Sequence, residues 1–96
     1  MLADLRFEWD QRKNVGNRAK HGVSFEEAVE VFTDERGILI PDPDHSDTED
    51  RFILLGTSSL RTLVVCHCYR ADVIRIFSAR KANRFERATY LQGLSQ

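Results

Sequence analysis

The sequence predicts an α+β domain, with helices packed on an antiparallel β-sheet. Three observations carry this. Two capped helical segments lie near the N-terminus. A run of short alternating strands follows, joined by turns too tight for anything but a meander. A charged helix closes the chain. The order strand, helix, helix, four strands, helix fits a layer of helices on a sheet. With 96 residues the chain, residues 1–96, reads as a single domain with one modest core.

Composition narrows the class. Hydrophobic residues make up 42% and charged residues 30%, which suits a folded domain rather than a disordered one. No apolar run approaches the ~20 residues needed to cross a bilayer, and no secretory signal is visible. A cytoplasmic protein without a membrane partner is expected. Charge falls in blocks. Residues 26–50 hold ten acidic side chains against Arg36 alone, whereas six basic face two acidic side chains from Arg70 onwards. A local positive field in a chain of net charge -1 points to an anionic partner, with phosphate the first expectation.

Arg6-Phe7-Glu8-Trp9 alternates apolar and charged residues, as a short edge strand does. Asp10 is placed to cap a helix that runs to His21 and stops at Gly22. Its only apolar members are Val15 and Ala19. Lys13, Asn17, Lys20 and His21 share one of its faces, which suits either a ligand or plain solvation. Ser24-Phe25-Glu26-Glu27 predicts a second cap, with Ser24 accepting from the Glu27 amide and Glu27 reaching back. Phe25, Ala28, Val29, Val31 and Phe32 give that helix a core-facing arc.

Ile38 to Ile40 form a short strand ended by Pro41. An acidic loop, 42–50, follows. It lacks the glycine and the closing glutamate of a calcium loop, so a solvated or partner-facing loop is expected. Strands Phe52–Thr57, Thr62–Tyr69 and Val73–Ala79 complete the meander. Cys66 and Cys68 read as buried thiols of the sheet, without the second pair a zinc site needs. Asn83 caps the last helix, with Phe85, Ala88 and Leu91 as its packed face and Glu86, Arg87 and Tyr90 opposite.

A turn of Arg70, Ala71 and Asp72 sets His67 opposite Arg75, with Tyr69 and Phe77 on the same face. The other face, with Val64, Cys66, Cys68, Ile74, Ile76 and Ser78, is expected to lie under the helices. A histidine beside a guanidinium is held neutral and can accept a proton, while the arginine holds a phosphate. Metal-free RNA cleavage needs that combination. No Gly-rich phosphate loop, HExxH or GxSxG is present.

Taken together, several motifs resemble the BrnT toxins. They are Phe7-Glu8-Trp9-Asp10, Lys13, Asn17, Lys20-His21-Gly22 and Ser24-Phe25-Glu26-Glu27-Ala28. Asp42-Pro43-Asp44-His45-Ser46, Glu49-Asp50-Arg51-Phe52, His67, Ile74-Arg75-Ile76, Ser78-Ala79-Arg80, Glu86-Arg87 and Tyr90 continue the match. Asn83 departs from the expected threonine or serine but caps equally well. The resemblance implies a RelE-like fold and a type II toxin, an endoribonuclease that cleaves RNA and inhibits translation. It implies neutralisation by a cognate BrnA-like, DNA-binding antitoxin in a hetero-oligomer. Catalysis is carried onto His67, Arg75, Arg80 and Tyr90. RNA contact falls to Lys13, Lys20, His21, Lys81, Arg84 and Arg87. No metal or cofactor is expected. The rival expectation is a non-catalytic RNA- or protein-binding module that uses the same basic residues for adhesion.

Overall fold

The computed structural model of the protein describes residues 5–45 and 48–94. Ser46 and Asp47 of the acidic loop lie outside the described residues, as do the two chain ends. The elements are β1 (Arg6–Glu8), α1 (Gln11–His21), α2 (Phe25–Val31), β2 (Ile38–Pro41), β3 (Arg51–Thr57), β4 (Thr62–Arg70), β5 (Val73–Lys81) and α3 (Arg84–Leu94), with a 3-10 turn at Pro43–His45. The five strands form one sheet in the order β1-β5-β4-β3-β2.

The sheet is mixed rather than wholly antiparallel. β2 to β5 form the expected meander, but β1 runs parallel to β5. A parallel neighbour needs a long connection, and everything from α1 to β4 supplies it. Three residues of β1 carried no signal of that direction.

Helices cover both faces. The larger core joins Val23, Phe25, Ala28 and Val31 to Leu54, Leu63, Val65, Ile76 and Ala79, with Phe7, Trp9 and Phe32 packed against it. The smaller core, on the opposite side, joins Leu55, Val64, Ala82 and Tyr90, flanked by Ile38 and Ile53. Alternate residues of β4 thus enter different cores, as the two-residue strand period requires. Burying both faces is why β4 is apolar on both. Gly56 lets α2 approach the sheet: a Cβ there would meet Val31 Cγ1 at 2.8 Å.

α1 follows its predicted bounds. The Asp10 carboxylate accepts from the amides of Arg12 and Lys13, and Gly22 closes the helix at φ 71°. Its packing inverts the usual pattern. Val15 is exposed while Asn14 and Asn17 are buried. Asn17 Nδ2 donates to Val23 O at 2.8 Å and to Ala79 O at 2.7 Å, and its Oδ1 accepts from Ala79 N at 3.2 Å. β1 covers the edge of β5 only as far as Arg75. Beyond it, the Asn17 amide satisfies the Ala79 peptide groups as a neighbouring strand would. Asn14 does similar work, accepting from Phe25 N and donating to Glu26 at 2.8 Å each. A helix with almost no apolar stripe is therefore held by two asparagines.

The second cap is half of what was expected. Ser24 Oγ accepts from Glu27 N at 3.0 Å. The Glu27 carboxylate does not reach back but binds Arg61 and Ser58 across the sheet end. A charged guanidinium is the stronger donor. The reciprocal box forms instead on α3, where Asn83 and Glu86 exchange two bonds of 2.8 Å.

Two further expectations are corrected. The β4–β5 turn has two central residues, not three: Arg70 pairs with Val73, Tyr69 with Ile74 and His67 with Ile76. Ala71, at φ 55°, makes this tight turn. A one-residue slip moves every partner to the other face, so His67 does not face Arg75. On α3 the packed side is that of Glu86 and Tyr90, whereas Phe85 is 80% and Leu91 61% exposed.

Candidate functional site

The sheet face turned away from α1 and α2 is only partly covered by α3. The uncovered part is a cleft of about 340 Å³. Register places Ile53, Val64, Cys66, Ser78 and Arg80 on this face. Arg51 lines it from the start of β3 and Asp42 from the end of β2, while Lys13 reaches it from α1. Asn17, one turn further along α1, ties that helix to Ala79, between Ser78 and Arg80.

A β-bulge shapes the cleft. Cys66 pairs with Ser78 and His67 with Ile76, so Phe77 has no opposite residue. Bulges redirect side chains locally, and here the Phe77 ring enters the cleft. The Arg51 guanidinium lies 3.8 Å from its centroid and Lys13 Nζ 5.7 Å from it. Both distances fall within cation–π range.

Asp42 is buried, so this part of the acidic loop is not solvated as expected. Its Oδ2 accepts from Cys66 Sγ at 3.9 Å. Burial, and then the Asp42 charge, push the Cys66 thiol up. It stays protonated and is a poor nucleophile. Arg80 forms a two-pronged ion pair with Glu86. Among the described residues no group of three His, Cys, Asp or Glu side chains could hold a metal ion.

The structure brings together Lys13 and Arg80 of the predicted site residues. Arg75 shares a sheet face with Cys68 but is paired to Glu8 at 2.7 Å. His67 is wholly buried on the other face, edge-on to Phe32 at 4.8 Å. Its Nδ1 is 3.2 Å from Val65 O, which can only accept, so Nδ1 carries the proton. Nε2 then accepts from Tyr69 Oη at 3.1 Å. Burial pushes the imidazole below its ordinary pKa, but its cause is desolvation and not Arg75.

Tyr90 lies in the smaller core, its hydroxyl donating to Asp34 Oδ2 at 2.5 Å. Lys20 and His21 sit in the last turn of α1, outside the cleft lining. Lys81 alternates away from Arg80 along β5. Arg84 is exposed in the first turn of α3, and Arg87 donates to Ala82 O at 2.8 Å. Sequence reasoning missed Arg51 and Asp42 as cleft residues; it placed Phe77 on the ligand face, but beside His67 and Tyr69, which lie elsewhere. The signal lay in the Asp42-Pro43-Asp44 and Glu49-Asp50-Arg51-Phe52 motifs, which periodicity alone does not connect to β5.

A mixed five-strand sheet carrying a cleft in which Lys13, Arg51 and Arg80 surround an aromatic ring defines a small α+β protein with a cationic cleft. Residues 9–86 match the family described as ribonuclease toxin, BrnT, of type II toxin-antitoxin systems. The chain belongs to this family, and its activity is that of a ribonuclease. Among curated proteins no sequence match is found. No helix among the described residues is long and apolar enough to cross a membrane.

Proposed function

We propose that the protein is a RelE-like, metal-independent endoribonuclease whose active site is the open-face cleft. The observation that carries this reading is the convergence of Lys13, Arg51 and Arg80 with the Asp42 carboxylate around Phe77. Arg51 and Arg80 hold the scissile phosphate, and their charge acts more strongly as the phosphorane-like transition state forms. Asp42, among the described residues the one carboxylate lining the cleft, accepts the 2′-hydroxyl proton. The 2′-oxygen attacks phosphorus, the bond to the 5′-oxygen breaks, and Lys13 gives that oxygen a proton. The product is a 2′,3′-cyclic phosphate and a free 5′-hydroxyl.

His67 is too deeply buried to meet RNA in this arrangement, and its role in this reading is packing. Arg75 steadies β1 through Glu8. Lys20, His21, Lys81, Arg84 and Arg87 extend the cationic surface along which RNA lies. Cleavage of RNA in the cytoplasm arrests translation. A cognate BrnA-like, DNA-binding antitoxin silences the toxin by covering α3, where exposed Phe85 and Leu91 accompany Arg84.

Purified protein incubated with RNA and excess chelator tests the chemistry. Cleavage with 2′,3′-cyclic phosphate ends is expected. Activity that stops with chelator and returns with magnesium contradicts it.

A further inference from the structure

We propose that Glu86 is a positioning residue that orients the Arg80 guanidinium for catalysis. This rests on the reading of the open-face cleft as the nuclease centre. Arg80, the last residue but one of β5, reaches the cleft on a long side chain, which left alone would sample many rotamers. Glu86 removes that freedom. Its Oε1 and Oε2 accept from Arg80 Nη1 and Nη2 at 2.8 Å each.

Glu86 is itself fixed. Its Oε1 also accepts from Asn83 N, and its own amide donates to Asn83 Oδ1, both at 2.8 Å. This box sits at the start of α3, directly after Ala82, which is buried and bonded to Thr62 O at 3.0 Å. The far end of α3 is tied down by Tyr90 to Asp34. The carboxylate is therefore a rigid fork holding a flexible cation.

The pairing leaves Arg80 with donors to spare. A guanidinium has five N–H groups, and Glu86 takes two. A third, on Nη1, points at Lys81 O at a long 3.4 Å. Among the described residues Nε has no partner, so the Nε and Nη2 edge is open for bidentate contact with a phosphate. Glu86 occupies one edge of the guanidinium and presents another, as a supporting residue does for a catalytic one. The opposite possibility is a latch, in which Glu86 competes with phosphate for Arg80.

Single-turnover cleavage by wild type, Arg80→Gln, Glu86→Gln and the double variant decides between them. Glu86→Gln keeps the Asn83 contact but loses the charge and the matched fork. Arg80→Gln is expected to lose ~10²–10³ in rate at saturating RNA. Glu86→Gln should lose about 10-fold in that rate with little change in the half-saturating RNA concentration, which is the pattern of lost transition-state contact. The double variant should be no slower than Arg80→Gln alone, because residues acting through one another do not add.

Losses that multiply in the double variant, or a Glu86→Gln protein as fast as or faster than wild type, overturn the positioning role. The second of these outcomes with increased speed establishes the latch. Full activity in Arg80→Gln overturns the cleft reading itself, and the two failures are thereby distinct. Should Glu86→Gln fold poorly, Glu86→Asp keeps the charge but is one methylene short of the fork. It must then show the same selective loss of saturated rate.

Discussion

Arg51 lays its guanidinium over the ring of Phe77, 3.8 Å from carbon to centroid, joining the first residue of β3 to the bulge of β5. The stack holds this cation against the floor of the cleft. Phe77→Leu should keep the cleft apolar at that point while removing the stack on Arg51. A cation–π contact at a partly exposed site contributes ~0.5–1 kcal/mol, so RNA affinity should fall roughly two- to five-fold. Binding of an RNA lacking the 2′-hydroxyl at the scissile position measures this without cleavage. Unchanged affinity would show that the ring does not hold Arg51 for RNA.

Asn17 is expected to matter more for stability than its polarity suggests. Asn17→Leu offers similar bulk but leaves Ala79 N, Ala79 O and Val23 O without their partner. Each buried group left unsatisfied costs ~1–3 kcal/mol, so a loss of at least about 3 kcal/mol should appear in urea unfolding. A shift below about 0.5 kcal/mol, the size expected of ordinary surface changes, would mean that solvent replaces these bonds freely.

His67 predicts a pH dependence of folding. Burial holds its folded-state pKa below the ordinary value, so the unfolded chain binds its proton first as pH falls. Stability from this group is complete above ~6.5, the unfolded value, and declines as pH falls below it towards the folded pKa. The slope approaches ~1.4 kcal/mol per pH unit within that window. Urea midpoints at pH 7.5 and 5.5 should diverge in wild type. His67→Gln should be less stable at pH 7.5 but lack this part of the slope. An identical slope in both proteins would locate the titration elsewhere.

Tyr90 is expected to seat α3 rather than to touch RNA. Burial comes first in raising its pKa, and the Asp34 bond adds to it. The phenol therefore stays protonated and donating. Tyr90→Phe keeps the ring in the smaller core but loses a bond to a charged acceptor, which contributes ~1.5–3 kcal/mol. The melting temperature should fall and the cleavage rate per folded molecule should hold. A well-folded Tyr90→Phe protein that cannot cleave would return the hydroxyl to the chemistry.

Local signals in the chain were legible wherever one residue decides the outcome. Asp10, Gly22, Ser24 and Asn83 set the helix ends, and the apolar arc of α2 found its core. Long-range choices were not. β4 is apolar on both faces, so alternation could not say which face α1 and α2 cover. The turn at Ala71 could close with two or three residues, and that single step decided whether His67 met Arg75. The bulge at Phe77 adds a second shift that no pattern announces. α1 hid its anchors because buried asparagines look like surface. On α3 the apolar Phe85 and Leu91 face outward, so hydrophobicity named the wrong side. Lys13 and Arg80 were recovered as site residues, whereas Arg51 and Asp42 come into view only once β2, β3 and β5 are side by side.

The central claim is that cleavage belongs to the open-face cleft and not to His67. Single-turnover cleavage of one RNA by wild type, Arg51→Gln, Arg80→Gln and His67→Gln, each with a melting curve, tests it most directly. The two arginine variants should melt near wild type and lose ~10²–10³ in rate, the loss typical of removing one charge-stabilising donor. His67→Gln should melt lower and cleave at the wild-type rate per folded molecule. A folded His67→Gln protein without activity, beside fully active arginine variants, would contradict the account.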